Sequence, residues 1–388
     1  MNQVTIDLHA LLHNLRTIDG WIKQHGASWT VVSKVLCGHL DTIEALRILG
    51  VRSLGDSRLA NLRAVNAVDA DAEKWYLRLP HLSDIASVVS LADVSLNSEI
   101  EVIKALDQAA REQGRIHRVI IMIELGDLRE GILPGSLTKF YEQVFELPNI
   151  DVLGIGANLG CLAGAVPSID QLMQLVLYRE LLELKFDHKM PVISAGSSVV
   201  LPGLLAGTVP RSINHFRVGE SLFLGTDLIN GGTLDGLRDD VVLVEAEIAE
   251  IKEKSLVALG ETTQMSPFVS VVNDDLTPGQ RGYRALVTIG QLDTEVSGLT
   301  PVNPEYQIAG ASSDITVLNI GDDRNGLEVG GTVKFRASYS ALLRLMNDKY
   351  IEKVTAPGLF QFAEQMGNGT CPSVPPVVEK RMQEVAAQ

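Results

Sequence analysis

From about Thr30 to Gly219, short runs of apolar and β-branched residues alternate with longer stretches of helical periodicity. This alternation is typical of βα units, in which a helix follows each strand. Eight runs have the length and composition of strands, and eight strands with helical crossovers predict a (β/α)8 TIM barrel. The runs are residues 30–35 (TVVSKV), 52–56 (RSLGD), 75–80 (WYLRLP), 93–97 (DVSLN), 118–125 (RVIIMIEL), 151–158 (DVLGIGAN), 191–196 (PVISAG) and 212–219 (SINHFRVG).

Two of the intervening helices have recognisable ends. DTIEALRILG begins with a candidate N-cap at Asp41 and stops at Gly50, and SEIEVIKALDQAAREQG begins at Ser98 and stops at Gly114. A doubly wound open sheet is the alternative architecture. No GxGxxG sequence opens the first crossover, so the phosphate loop of a dinucleotide-binding fold is missing.

The pattern changes after about Asp235, where long helical stretches disappear. Segments such as DVVLVEAEIAEI, YRALVTIG, DITVLNI and GGTVKFRASY alternate or are rich in β-formers, and Gly, Pro, Asn and Asp separate them. We therefore predict a barrel domain over residues 1–235 and a carboxyl-terminal, mainly β domain over residues 236–388. A chain of 388 residues is long enough for two hydrophobic cores.

Composition and charge exclude several classes of protein. A net charge of −15 argues against non-specific nucleic-acid binding, which requires a basic face. The sequence contains no apolar run of membrane-spanning length and no amino-terminal signal pattern, so no membrane association is expected. The three cysteines lie far apart without a CxxC pair, which predicts no disulfide framework, no metal site and a reduced, cytoplasmic setting.

Polar residues follow the predicted strands at their carboxyl ends, where barrel enzymes carry their catalytic groups. Lys34 is the most informative, because it lies within the first predicted strand and lysine is seldom buried without a partner. An amine that loses hydration there is more readily neutral, and a neutral lysine amine forms Schiff bases with carbonyl groups. A lysine that snorkels at a strand edge is the alternative. Other polar residues at strand ends are Asp56, Ser57, Arg58, His81, Asn97, Asp127, Arg129 and Asn158.

Glycine-bearing turns follow the last two predicted strands. SAGSSVVLPGL places a Gly-Ser-Ser turn before a helix, and FRVGES places Gly219 after Arg217. Phosphate requires clustered N–H groups and hydroxyls, and barrels often bind it in the loops after strands seven and eight. A lysine, a phosphate cradle and an arginine together favour a pyridoxal 5′-phosphate (PLP) site over a simple aldolase.

Eight segments distributed along the chain carry a more specific signal. They are VVSKVLCGH, LGDSRLANL, IELGDLREGI, GIGANLGC, SAGSSVVLPGL, HFRVGESLFLG, IAGASSD and SYSALLRLM. In combination they resemble the alanine racemase superfamily, the fold-type III group of PLP-dependent enzymes, and are nearest to its ornithine and lysine racemase-like members. The resemblance runs from Lys34 to about Lys353. It implies PLP as cofactor and a homodimer in which each β domain completes the partner's active site.

The resemblance also implies roles for individual residues. Lys34 corresponds to the Schiff-base lysine, which is also the base on one face of the cofactor. Arg217 corresponds to the arginine that hydrogen-bonds the pyridine nitrogen. Because a guanidinium gives up no proton, the ring nitrogen stays unprotonated and the cofactor is a weaker electron sink, which suits racemisation. Arg129 is expected near the substrate carboxylate. The implied phosphate contacts are Ser197, Ser198, Gly219, Glu220 (through its backbone N–H) and Tyr339.

Racemisation by two bases requires a second acid–base group on the opposite face. In alanine racemases it is a tyrosine of the partner's β domain, whereas Gln291 stands there in LVTIGQLD, and an amide does not exchange protons near neutral pH. We prefer Asp314 and Ser313 of GASSD as replacements, although Asp314 also suits a turn or a helix N-cap. The alternatives are Asp293, Ser312 and Tyr283.

Other departures from the family concern the substrate. Asn158 stands where alanine racemases tend to carry a histidine near the cofactor ring, and we assign it to the substrate site. The resemblance favours ornithine or lysine as substrate. Glu124, Asp127 and Glu130 supply carboxylates for a basic side chain or form a solvated rim.

The sequence thus predicts a PLP-dependent amino-acid racemase that exchanges the Cα proton between opposite faces. A non-catalytic PLP-binding protein is one alternative, but the extra β domain would have no purpose in it. A fold-type III decarboxylase is the other, but such enzymes carry a cysteine in the segment corresponding to AGASSD, and this chain has none there.

Overall fold

The computed structural model describes residues 2–257, 277 and 279–367. They form two compact units. The barrel unit comprises Leu12–Lys34, Gly38–Arg238 and the described residues from Leu359 onward. The β unit comprises the residues up to Leu11, then Val35–Cys37 and Asp239–Gly358. Each compact unit is built from separate stretches of chain. The predicted domains over residues 1–235 and 236–388 stay a prediction.

The chain begins with strand β1 (Gln3–Asp7) and helix α1 (Leu8–Gln24). Eight parallel strands then close into a barrel in sequence order, which confirms the predicted (β/α)8 fold. They are β2 (Ser28–Val32), β3 (Ser53–Asp56), β4 (Glu73–Tyr76), β5 (Val94–Asn97), β6 (His117–Met122), β7 (Ile150–Gly156), β8 (Val192–Ser197) and β9 (His215–Val218). The helices that follow them are α2 (Leu40–Ile48), α3 (Leu59–Val68), α4 (Ile85–Leu91), α5 (Ile100–Glu112), α6 (Leu137–Val144), α7 (Ile169–Phe186), α8 (Leu201–Leu205) and α9 (Glu220–Leu224).

Each predicted strand overlaps an observed one, but several ends differ. The first strand stops at Val32, so Lys34 is not inside it and instead begins a 3-10 turn that ends at Leu36. The N-caps of α2 and α5 are His39 and Glu99, each one or two residues from the predicted caps Asp41 and Ser98. Neither cap's side chain accepts a hydrogen bond from a backbone N–H of its helix, although His39 Nδ1 lies 2.8 Å from Thr42 Oγ1 in α2. These helix starts therefore depend on packing more than on side-chain capping of the backbone.

The barrel core explains the apolar runs. Val94 and Leu96 of β5 and Ile120 and Met122 of β6 belong to one buried cluster, as does Trp75 of β4. Residues two apart on a strand point to the same side, so each pair enters the cluster together. Burying each such side chain contributes about 1.5–3 kcal/mol, so these alternating positions stabilise the barrel.

The second unit is mainly antiparallel sheet, as predicted. Its strand order is β12-β15-β10-β11-β14-β13, and β1 pairs with both β10 and β16. Buried and half-buried residues alternate along the first part of β10, which matches the period of two in its sequence. The elements are β10 (Val242–Ser255), β11 (Arg281–Val287), β12 (Leu299–Pro301), β13 (Gln307–Ala311), β14 (Thr316–Gly321), β15 (Thr332–Ala337), α10 (Tyr339–Asn347), β16 (Glu352–Ala356) and, in the barrel unit, α11 (Leu359–Met366). Across residues 2–257 and 279–367, no helix is long and apolar enough to cross a bilayer.

Candidate active site at the barrel mouth

A cavity of about 790 Å³ opens at the carboxyl ends of β2 to β6. Half-buried Lys34 lies in its wall, because the 3-10 turn after β2 carries the side chain to the barrel mouth. Four more polar residues that the sequence placed at strand ends line the same cavity, namely Ser57, His81, Asn97 and Arg129. The sequence did not single out Arg78 and Glu99, which also line it. The sequence placed Arg78 inside a predicted strand and Glu99 in the first turn of a predicted helix, and no motif marks either of them.

The turn that carries Lys34 is anchored by a buried carboxylate, Asp56 at the end of β3. Asp56 accepts hydrogen bonds from Ser33 Oγ at 3.1 Å and Asn61 Nδ2 at 3.0 Å. Burial raises the pKa of Asp56, and these donors partly offset the rise. Since Ser33 is the residue before Lys34, this bond helps to fix the backbone from which the lysine projects.

Arg217 of β9 projects into the barrel and is almost fully engaged. Its Nη1 donates to the carbonyl oxygen of Ser194 at 2.7 Å and to Ser194 Oγ, while Nη2 donates to Ala157 O at 3.0 Å and Asn158 Oδ1 at 2.7 Å. Burial, with the charge of Arg129 nearby, lowers the pKa of Arg217 to about 10, so the guanidinium is still charged at neutral pH. Of its five N–H groups, only Nε–H has no acceptor among the described residues.

The carboxylate of Glu130 connects Arg129 to Asn158, which also bonds to Arg217. Glu130 accepts hydrogen bonds from Arg129 Nη2, at 2.6 Å, and from Arg129 Nε. It also accepts a hydrogen bond from Asn158 Nδ2. Burial raises the pKa of Glu130, but the bonds and charge of Arg129 and the Asn158 bond outweigh it, so the net pKa is lowered and Glu130 stays ionised. Glu130 is therefore part of the site and not of a solvated rim. The Arg129 guanidinium is therefore already bound to one carboxylate.

Two other acidic residues after β6 bind backbone N–H groups of the loops instead. Asp127 is buried and accepts backbone N–H groups of Cys161, Leu162 and Ala163 at 3.0 to 3.3 Å. Glu124 accepts the backbone N–H groups of Gly126 and Arg129. These bonds hold the loop that carries Arg129 beside the loop that carries Cys161, whose Sγ lies 2.6 Å from Arg129 Nη1. Glu124 and Asp127 are thus occupied as loop clamps.

The ends of β8 and β9 bring the predicted phosphate residues together. Ser197 pairs with Arg217, and Ser197 Oγ is buried without a hydrogen-bond partner in the part of the chain described. A Cβ on Gly219 would lie 2.8 Å from the carbonyl oxygen of Val32, so only glycine allows this approach. Ser198 Oγ accepts the backbone N–H of Ser221 at 3.2 Å. Burial raises the pKa of half-buried Glu220, and the charge of Lys34 opposes the rise, which places that carboxylate near the lysine.

In the β unit, all the candidates for the second acid–base group except Tyr283 lie in one cluster. The backbone N–H groups of Gln291 and Leu292 donate to the carbonyl oxygens of Ser312 and Ser313 at 3.0 and 2.9 Å. Ser313 Oγ donates to Asp314 at 2.6 Å. Tyr283, near the start of β11, is remote from this cluster along the strand.

Asp293 belongs to the same cluster and accepts the N–H of Gly290 at 2.8 Å. Burial raises its pKa, and the charges of Asp348 and Asp314 add to the rise. Half-buried Tyr339 is the first residue of α10, directly after the N-cap Ser338. The sequence therefore identified residues that are neighbours within this unit.

Comparison with known proteins identifies the family of the chain. The family model for the amino-terminal domain of alanine racemase matches residues 6–227, more than half of the chain. The chain belongs to the alanine racemase family. The family predicted from the motifs is confirmed, and with it the prediction of an amino-acid racemase.

The alignments with two curated relatives cover nearly the whole chain. The ornithine racemase of Acetoanaerobium sticklandii is 34% identical over 354 residues, covering 90% of this chain and 98% of the relative. The lysine racemase of Thermotoga maritima is 32% identical over 359 residues, covering 92% and 99%.

Solved structures of the family share the fold. The alanine racemase from Streptomyces coelicolor A3(2) superposes with a TM-score of 0.70 at 20% identity, covering 92% of this chain and 98% of that one. The alanine racemase from Bartonella henselae, which contains covalently bound pyridoxal phosphate, superposes with a TM-score of 0.67 at 15% identity, covering 91% and 99%.

Proposed function

We propose that this protein is a PLP-dependent racemase of basic amino acids, with ornithine and lysine as the preferred substrates. The observation that carries the proposal is that the barrel has both Lys34 at its mouth and the buried Arg217, whose Nε–H is the one guanidinium donor without an acceptor among the described residues. The names of the two curated relatives support the substrate class.

The residues of the barrel unit fit PLP. The unpartnered hydroxyl of Ser197, the glycine-only approach at Gly219 and the N–H of Glu220 suit a phosphate at the ends of β8 and β9. Arg217 Nε–H suits the pyridine nitrogen, and Lys34 supplies the amine for covalent attachment. When bound, PLP acidifies the Cα–H of an amino acid joined to it. Ser198 and Tyr339 complete the proposed phosphate contacts.

The protein's own groups then move a proton at Cα. Lys34 removes or returns it on one face, and Asp314 with Ser313 does so on the other. Arg217 would hold the ring nitrogen through its Nε–H and give up no proton to it, which would limit charge accumulation on the ring and favour return of the proton to Cα. Asp293, with its raised pKa, is the alternative second group.

Because Asp314 and Ser313 belong to the β unit, we propose a homodimer in which the β unit of one protomer completes the site of the other. This arrangement follows from the family resemblance and from the need for acid–base groups on two faces. A cytoplasmic location likewise stays a prediction.

Arg129 and Asn158 are the proposed binding residues for the substrate. Arg129 would exchange part of its contact with Glu130 for the substrate carboxylate, since one guanidinium can serve two carboxylates. The exposed carboxylate of Glu99 in the same cavity is a suitable acceptor for the side-chain ammonium of ornithine or lysine.

The proposal is tested by measuring Cα deuterium incorporation from heavy water, with both enantiomers of ornithine, lysine and alanine supplied. We expect exchange and racemisation of the basic amino acids, loss of both in Lys34→Ala, and a pyridoxyl group on the Lys34 peptide after borohydride reduction. Lys34→Arg is the matched control that keeps the charge without a Schiff-base amine, and it should be equally inactive. Carbon dioxide release, or PLP binding without exchange, would contradict the proposal and indicate a decarboxylase or a cofactor-binding protein.

A further inference from the structure

A continuous chain of hydrogen bonds crosses the inside of the barrel and ends on Arg217. It begins at the carboxylate of Glu73 on β4, and each of its members is buried. The links are Glu73 Oε2 to Ser53 Oγ (2.7 Å), Ser53 Oγ to Thr30 Oγ1 (2.8 Å), Thr30 Oγ1 to His215 Nε2 (3.0 Å), His215 Nδ1 to Ser194 Oγ (2.7 Å), and Ser194 Oγ to Arg217 Nη1. Sequence motifs did not indicate this hydrogen-bond chain, because its six members are distributed over five different strands.

The two end groups give every link a direction. A carboxylate only accepts, so Ser53 donates to Glu73 and must accept from Thr30. Thr30, having donated its only proton, must accept from His215 Nε2–H. At the other end a guanidinium only donates, so Ser194 Oγ accepts from Arg217 and directs its own proton to His215 Nδ1.

This direction is consistent only if His215 is neutral, with its proton on Nε2. A proton on Nδ1 would make His215 and Arg217 both donors to Ser194 Oγ and would leave the Ser194 proton without its acceptor. The surroundings hold the imidazole in this orientation. The Trp75 ring stacks on it with centroids 4.4 Å apart, and Trp75 Nε1 donates to Glu73 at 2.9 Å.

We propose that His215 is a positioning residue for Arg217, held as the Nε2–H tautomer by a hydrogen-bond chain that terminates on Glu73. Through Ser194 it fixes the rotation of the guanidinium, so that Nη1 and Nη2 face protein acceptors and Nε–H faces the barrel mouth. The inference rests on the proposed function in one respect, namely that Nε–H contacts the pyridine nitrogen of PLP.

Two variants of Thr30 interrupt or preserve the hydrogen-bond chain at its middle and form a matched pair. Thr30→Val removes the hydroxyl at nearly constant volume and leaves His215 Nε2–H without its acceptor, whereas Thr30→Ser keeps the hydroxyl. In the PLP-loaded Thr30→Val enzyme we expect the ¹⁵N resonance of the pyridine nitrogen to shift. We also expect kcat to fall by about tenfold, as for loss of other supporting hydrogen bonds around an active site, with KM little changed. Thr30→Ser should match the wild type in all three quantities.

A measurement on the unmodified protein decides the matter even if Thr30→Val does not fold. The ¹⁵N–¹H spectrum of histidine-labelled wild-type protein, assigned with a His215→Gln variant, should show His215 as the neutral Nε2–H tautomer. An imidazolium or an Nδ1–H tautomer would overturn the inference, and so would a folded, PLP-bound Thr30→Val enzyme with unchanged pyridine resonance and kcat. Failure of the wild type to bind PLP at Lys34 is a separate result that rejects the proposed function, because the tautomer of His215 is measured without cofactor.

Discussion

Individual polar residues inside the barrel have definite protonation states because the interior removes them from water. His117, at the start of β6, is 1% exposed and contacts Ser95 Oγ through Nε2 at 2.8 Å. Burial, with the charges of Arg115 and Arg118 nearby, lowers the pKa of His117 from 6.5 to about 4. The imidazole is therefore neutral in the folded protein at pH values where an unfolded chain would already be charged.

This difference predicts a pH dependence of stability. Between pH 6.5 and about 4 the unfolded chain binds the extra proton, so the free energy of unfolding decreases as pH falls through this window, by up to about 3 kcal/mol from this residue. In His117→Asn the protein should be less stable at pH 7 because it loses the packing and bond at Ser95, but its stability should decrease less between pH 7 and pH 5. Urea unfolding at the two pH values measures this, and parallel decreases in variant and wild type would contradict it.

At the scale of elements, the ends of β8 and β9 approach so closely that one position excludes any side chain. A Cβ on Gly196 would lie 2.0 Å from the ring of Phe216 on the neighbouring strand. Ser197 follows Gly196 directly and pairs with Arg217, so this close approach sets the spacing between the proposed phosphate and pyridine contacts.

Gly196→Ala should consequently destabilise the protein by about 1–3 kcal/mol, the usual cost of overpacking a core, and should weaken PLP binding. Gly20→Ala is the matched control, because Gly20 lies in α1 with no atom within 4 Å of a new Cβ. That variant should be neutral or more stable by about 0.5–1 kcal/mol. Urea midpoints and PLP titration give both quantities, and equal stability of the two variants would show that β8 and β9 can separate without loss.

At the scale of the whole molecule, the proposed acid–base pair is divided between the two compact units. Lys34 lies in the barrel unit, whereas Asp314 lies in the β unit. In the proposed homodimer each site combines Lys34 of one protomer with Asp314 of the other. A two-fold axis then produces two equivalent sites.

This arrangement predicts complementation between inactive variants. Lys34→Ala and Asp314→Asn should each lose racemase activity, and co-expression should restore about a quarter of the wild-type activity, because random pairing makes half of the dimers hybrids with one intact site each. Two copies of the same variant, co-expressed from two plasmids, are the control and should remain inactive. Absence of recovery, with hybrid dimers demonstrated by two affinity tags, would count against a site shared between protomers.

The sequence by itself determined the strand and helix order, the class of fold and most of the residues near the site. Periodicity is a local property, and the carboxyl ends of parallel strands must meet at one end of a barrel, so Lys34, Arg129 and Arg217 could be grouped without a structure. The limit appears at Lys34 itself. The strand was predicted to extend to residue 35, but it ends at Val32, and the next residue, Ser33, bonds to Asp56 through its side chain.

Only the tertiary structure decided which polar groups satisfy one another. The sequence left Glu124, Asp127 and Glu130 open between acceptors for a basic side chain and a solvated rim. In the structure Glu130 is the partner of Arg129, whereas Glu124 and Asp127 bind backbone N–H groups of loops. The hydrogen-bond chain from Glu73 to Arg217 joins residues as far apart in the sequence as Thr30 and Arg217, 187 positions from each other. Its hydroxyl groups belong to no sequence pattern. A hydrogen bond depends on distances of a few tenths of an ångström between strands, and no property of a single strand encodes that distance.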